Sequence, residues 1–357
     1  MLNSTLKRRT YGEYIQYKVI ILILLFILVL AAVFLEIIAG SAGLTVKEVF
    51  LTLIGRGTVQ NHTVIFGIRL PRVVAAIAAG AGLATTGCAM QSLMRNPLAS
   101  DSTLGISQGA AFGAAFAIVV FGAGVQYQTS DGVTIYNPYL VSVCAFVCSM
   151  LSTFVILGLS RFKRITPEAM VLTGVALSAL FSGGTTIMQY FADSVSLAAI
   201  VFWTFGDLGR ASWQQVGIMS VISVVGFIYF LFNRWNYNAL ESGENTAKGL
   251  GVNVDTMRLI GMVICSFIAS VMVSFIGIIS FIGLIAPHLI RRVIGGDYRF
   301  LLPASALLGA LMLLLSDTLA RVVVSPIVLP IGAITSLLGA PVFLYLLFKG
   351  VANNDHS

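Results

Sequence analysis

The chain has 357 residues, 58% of them hydrophobic and 10% charged, with a mean hydropathy of +0.96. Soluble domains carry about 25% charged residues and disordered chains are polar and charge-rich, so both classes are excluded. Ten bilayer spans of roughly 20 residues would take about 200 positions, and the rest suffices for loops. Net charge is +7, but the basic residues sit in short clusters between apolar runs. That is the pattern of topology determinants rather than of a nucleic-acid surface.

In chain order, Lys7, Arg8, Arg9 and Lys18 precede an apolar run over 19–35. The run exceeds the ~7–15 residues of a signal-peptide core, so it reads as an uncleaved first span behind a cytoplasmic N-terminus, 1–18. Further apolar stretches near 70–94, 103–122, 139–160, 168–191, 214–232, 258–279, 281–294, 301–323 and 329–348 predict the remaining spans. The piece at 281–294 is too short to cross alone as a straight helix. The expected architecture is an all-α bundle of about ten transmembrane helices, a single membrane domain over 19–349 with a cytoplasmic tail, 350–357. This count puts fifteen of the 21 Lys and Arg on the cytoplasmic side and only Lys47, Arg56, Arg69, Arg72, Arg210 and Arg321 outside. The positive-inside rule predicts that asymmetry, and an odd number of spans breaks it.

Enzymatic signatures are absent from the sequence. It contains no G-x-x-x-x-G-K-[ST] phosphate loop and no H-E-x-x-H. Cys88, Cys144, Cys148 and Cys265 all lie in apolar runs without a zinc spacing and read as small buried hydrophobes. His288, beside Pro287, reads as a hydrogen-bonded structural residue, and His62 and His356 as loop residues. Glu36 and Asp317 fall toward the outer ends of their spans, with Asp193 at or beyond one. An ion-driven transporter usually keeps a carboxylate near the midplane, and its lack argues against that class. Gly105, Gly109 and Gly113 form one small-residue face and Gly80, Ala84 and Cys88 another, both suited to close helix packing in lipid.

The longest polar stretch runs from Asn233 to Arg258. Within it, about 236–256, glycines break one or two short helices of mixed charge. This segment reads either as a solvated loop or as a docking surface for a soluble motor subunit.

Three runs of the first half are specific. They are Arg69-Leu70-Pro71-Arg72, then Gly87-x-x-x-Gln91-x-x-x-Arg95-Asn96-Pro97-Leu98-Ala99, then Leu104-Gly105-Ile106-Ser107-x-Gly109-Ala110. The second half adds Ser280-Phe281-Ile282-Gly283-Leu284-Ile285-x-Pro287-His288-x-x-Arg291, Asp317-x-x-Ala320-Arg321 and Leu329-Pro330-Ile331-Gly332. Over nearly the whole chain past the first span, these motifs resemble the FecCD family, permease subunits of ABC importers for iron-siderophores, haem and cobalamin.

The resemblance implies a permease that works with a second copy or a homologous permease. Two ATPase subunits would bind below it and an extracytoplasmic substrate-binding protein above. The chain itself would catalyse nothing and bind no cofactor, ATP and Mg belonging to the ATPase partner. Arg69, Arg72 and Arg321 match arginines that pair with carboxylates of the binding protein. Glu241, Gly243, Glu244, Ala247, Lys248, Leu250 and Gly251 match the region that couples to the ATPase. Thr173, Ser178, Ser182 and Gln189 on the fifth span become candidates for the pathway. Gln91, Arg95, Asn96, Pro97, Gly105, Gly109 and Pro287 carry the structural motif. Two positions depart from the family pattern: Asp101 stands where Pro is common, and Val328 where a Glu often precedes Leu-Pro.

Overall fold

The computed structural model describes residues 11–40, 44–123, 126–129, 132–135, 137–163, 166–325 and 327–354. Lys7, Arg8, Arg9, Arg164 and His356 lie outside the described residues. The helices are α1 (Tyr11–Ile38), α2 (Val46–Leu53), α3 (Val59–His62), α4 (Leu70–Leu93), α5 (Ile106–Phe121), α6 (Pro138–Lys163), α7 (Pro167–Phe191) and α8 (Ser194–Thr204). They continue with α9 (Trp213–Phe232), α10 (Arg234–Glu241), α11 (Glu244–Gly249), α12 (Val254–Ile276), α13 (Ile282–Ile294), α14 (Tyr298–Val322) and α15 (Ile331–Asn354). A two-stranded antiparallel hairpin, β1 (Gln126–Thr129) and β2 (Gly132–Ile135), links α5 to α6.

Every apolar stretch anticipated from the sequence is helical. Among the described residues, seven helices are long and apolar enough to cross a membrane, and α5, α8 and the Ile331–Tyr345 part of α15 are shorter apolar helices. With 13 residues, α13 covers about 20 Å at 1.5 Å per residue, less than a ~30 Å hydrocarbon core. The sequence did not single out α8, an 11-residue helix whose N-cap is Asp193.

The bundle is built around α4, 83% of whose span is buried, whereas only 22% of α7's is. Small residues set this arrangement. A Cβ on Gly80 would lie 2.5 Å from the Gly309 carbonyl oxygen, and one on Gly87 would meet the Gly283 carbonyl, so α14 and α13 lie backbone-to-backbone on α4. The face of Gly105, Gly109 and Gly113 meets α6: a Cβ on Gly109 would come within 2.7 Å of the Cys148 carbonyl oxygen, and one on Gly113 would meet that of Cys144. Gly105 also has φ +75° at the start of α5, a conformation that disfavours other residues.

A π-helical turn, Thr63–Arg69, leads from α3 into α4. There the Leu70 amide reaches back to the Ile65 carbonyl, just before Pro71, which has no N–H to donate. The turn ends at Arg69 and delivers Arg69 and Arg72 to one end of the bundle.

Candidate functional site

One end of the bundle gathers charge in a buried setting. Arg72 donates from Nε to both Asp317 oxygens at 2.9 Å and from Nη2 to Oδ1 at 2.7 Å. Such charge-assisted, multiply bonded pairs are among the strongest polar contacts. Asp317 also lies 2.9 Å from Arg321 Nε, one helical turn on in α14. Arg321 donates to the carbonyls of Ala39 and Glu36 and approaches the Glu36 carboxylate at 3.6 Å. Arg69 donates to the carbonyls of Ile37 and Ile38 at the end of α1, leaving Nη2 without a partner. Asp207, half-exposed, completes the group 3.4 Å from Arg72.

The structure brings Arg69, Arg72 and Arg321 together at one end of the bundle, and none of them is a free surface cation. Arg69 is 4% and Arg72 8% exposed, and internal acceptors hold all three. Glu36 and Asp317 are fully buried there, at the same end of the bundle as the three arginines.

The opposite end carries α10 and α11. Glu241 accepts from Ser92 Oγ at the end of α4 and from Arg291 Nη1 of α13, both at 2.7 Å. Gly243, at φ +122°, makes the turn into α11, a backbone state that L side chains rarely adopt. Glu244 pairs with Lys248 at 3.1 Å and with Arg258 of α12 at 3.5 Å. The hydrogen bond from Lys248, with Arg258 nearby, holds the Glu244 carboxyl below the usual carboxylate range.

The end of α11 is a Schellman motif, in which Val252 N–H returns to the Ala247 carbonyl and Gly251 N–H to that of Lys248. Ala247 is fully buried beneath it, while Leu250 is 69% exposed. All seven residues singled out here thus belong to one ordered two-helix unit and not to a loose loop.

The four pathway candidates do not share a face. At about 100° per residue, Ser178, Ser182 and Gln189 lie within about 40° of one another and Thr173 about 140° or more away. Thr173 and Ser178 bond back to their own helix through Ala169 and Gly174 carbonyls, and Ser178 sits against Gly105. The open face of α7 lies between these flanks, on Leu172, Ala176, Ala179, Gly183, Thr186 and Tyr190.

The motif residues build the α4–α5 corner. Gln91 Nε2 donates to the Leu284 carbonyl, fastening α4 to α13. Arg95 takes φ +47° as α4 ends, and Asn96 Oδ1 accepts from the Leu98 amide across Pro97. Asp101 fits this corner: it is buried and accepts from Ser107 Oγ at 2.9 Å. Pro287 sits within α13. Beside it, His288 packs edge-to-face with Phe343, 6.4 Å between ring centres, and its Nε2 has no hydrogen-bond partner, which corrects the hydrogen-bonded role expected of it. Among the described residues, no three His, Cys, Asp or Glu could share a metal ion.

Asn238, Asp297, Lys18 and Asp207 were not anticipated from the sequence. Asp297 alone left a signal, as an N-cap residue after Gly295-Gly296 and before an apolar helix. Asn238 and Asp207 lie in short polar segments whose partners are distant in sequence.

The fold and its two charged ends define a polytopic permease, with α4 enclosed and α7 left open. The chain belongs to the FecCD transport family, whose family model matches residues 24–349, and it is an ABC importer permease. It is 52% identical to a Methanocaldococcus jannaschii protein named by inference as an ABC transporter permease, over 95% of this chain and 97% of that one. It is 35% identical to an iron(3+)-hydroxamate import system permease of Bacillus subtilis, over 95% of this chain and 84% of that protein. Permeases named for hemin in Yersinia pestis and for vitamin B12 in Vibrio parahaemolyticus are 38% and 36% identical. A solved inward-facing structure, described as a metal-chelate type ABC transporter, matches with TM-score 0.79 and 30% identity, over 92% of this chain and 99% of that one.

Proposed function

We propose that this permease carries a ferric siderophore or a related iron chelate into the cytoplasm along the interface with a second permease, a copy of itself or a homologue. In this reading the α10–α11 end faces the cytoplasm together with both termini, in the inner cell membrane, and receives two ATPase subunits that supply ATP and Mg. The observation that carries it is the α10–α11 unit, anchored at Ala247 and Glu241 while presenting Leu250 outward. An ordered unit fixed to the bundle on one side and open on the other suits docking by a partner, since interface backbones usually move little on binding. The open face of α7 supports its use at the permease–permease interface.

At the arginine end an extracytoplasmic binding protein would dock through carboxylates. Because Asp317, Glu36 and carbonyls already hold Arg69, Arg72 and Arg321, an incoming carboxylate has to compete with them. Arg69, held by carbonyls, is the one whose replacement separates docking from folding. A cobalamin or haem cargo is the second reading, favoured by relatives of those names at the same level of identity.

The test is affinity purification in mild detergent with mass spectrometry, followed by uptake of labelled ferric hydroxamate, haemin and cobalamin. Recovery of an ATPase in near-equal amount, and uptake that stops on ATP depletion, are expected. Uptake that survives ATP depletion but collapses with a protonophore would mean an ion-coupled transporter and sink the reading.

A further inference from the structure

The α10 helix is attached to the rest of the bundle in two different ways. Toward α4 and α13 it uses the Glu241 side chain, bonded to Ser92 and to the long Arg291. Toward α14 it is bound directly at a helix start. Asn238 Oδ1 accepts from the Tyr298 backbone N–H at 2.7 Å, and its Nδ2 donates to Asp297 Oδ1 at 3.3 Å. The neighbouring Tyr237 and Tyr298 rings stack 4.6 Å apart at 14°.

Asp297 is the N-cap of α14 and is itself fixed. Arg299 bonds both its oxygens, and the fully buried Lys18 lies 3.8 Å from it and 4.0 Å from the Tyr14 ring centre. Burial pushes the Asp297 carboxyl up, but the hydrogen bonds from Arg299 and Asn238 outweigh it and hold the group below the usual carboxylate range.

From this point α14 runs for 25 residues, about 37 Å at 1.5 Å per residue. Midway, Gly309 lies against Gly80 and Ala84 of α4. At its far end it carries Asp317 and Arg321, the centre of the buried cluster that holds Arg72 and the end of α1. One helix thus begins at the loop segment and ends in the arginine cluster.

We propose that Asn238 and Asp297 are positioning residues that form a joint, through which movement of α10 is carried along α14 to the Arg72–Asp317–Arg321 cluster at the other membrane face. The physical reason is stiffness. A bond made to the backbone amide of a helix start moves the helix axis, whereas a long Arg side chain follows a displaced partner by changing rotamer. The inference rests on the importer reading for the existence of a motor at α10–α11.

The test uses the full chain with its co-purified ATPase in lipid nanodiscs. A Val323→Cys reporter, 62% exposed just beyond α14, is labelled with a bulky maleimide with and without ATP and vanadate. In the parent the labelling rate should change with nucleotide. Asn238→Ala should weaken that response at least about fivefold, with ATP hydrolysis continuing and the melting temperature near that of the parent. Asp297→Asn keeps a capping acceptor but loses the charge facing Lys18 and Arg299; it should weaken the response in the same direction and serves if the first variant folds poorly. Ser92→Ala, which removes one of the two bonds that hold Glu241, should leave the response intact. A full response in Asn238→Ala and Asp297→Asn, or an equal loss in Ser92→Ala, overturns the joint. A parent that binds no ATPase overturns the importer reading, and the joint with it; a parent that binds the ATPase but shows no nucleotide response overturns the joint alone.

Discussion

The two ends of the bundle hold similar charges in opposite ways. At the arginine end Arg72, Asp317, Glu36 and Arg321 are almost wholly removed from water, and their ion partners lie within the chain. At the loop end Glu241, Arg291, Glu244 and Lys248 keep between a quarter and a half of their side chains exposed. Burial makes the first cluster a structural clasp on three helices, because any unpaired charge there is costly. Exposure makes the second cheap to rearrange, in keeping with the docking role proposed for it.

The largest expected effect tests the clasp. Asp317→Ala leaves Arg72 and Arg321 buried without their carboxylate and should cost about 3–5 kcal/mol, read from denaturant or thermal unfolding in detergent. A loss below about 1 kcal/mol would place this pair with the exposed ones and erase the contrast. Next comes Glu241→Ala, which frees Ser92 and Arg291 at a half-exposed site. It should cost about 1–2 kcal/mol by the same measurement.

Glu244→Arg loses two partly exposed ion pairs and should cost about 1 kcal/mol yet abolish ATP-dependent uptake. Normal uptake by that variant would remove the coupling role of α11. The smallest effect is in pH. Because the Glu244 carboxyl is held below its ordinary value by Lys248 and Arg258, its contribution is present above the ordinary carboxylate range and lost as pH falls through the lowered value. The difference in melting temperature between the parent and Glu244→Gln should therefore stay constant from neutral pH down to about pH 5 and shrink by about pH 3. A difference that grows on acidification contradicts the pairing.

Much of the fold was legible because a membrane chain must satisfy its backbone within each span. The ten apolar stretches, the short 281–294 piece and the small-residue faces of α4 and α5 follow from local composition. The site was legible only in part. Arg69, Arg72 and Arg321 could be assigned to one end by charge counting, yet their acceptors lie on α1 and α14, up to 285 residues away, and no local pattern predicts such pairs. The family resemblance made Thr173 and Ser178 pathway candidates, but their hydroxyls are turned to their own helix.

Sequence alone determined the solvent of this protein, its helical class, the number of apolar segments and the family motifs that place it among ABC importer permeases. Those features depend on composition and short-range periodicity. Tertiary structure decided which charges are buried, which face of α7 stays open, and that one helix joins α10 to the arginine cluster. Each of these depends on which distant helices come within a few ångströms, and in lipid that is set by packing of small residues across the whole bundle.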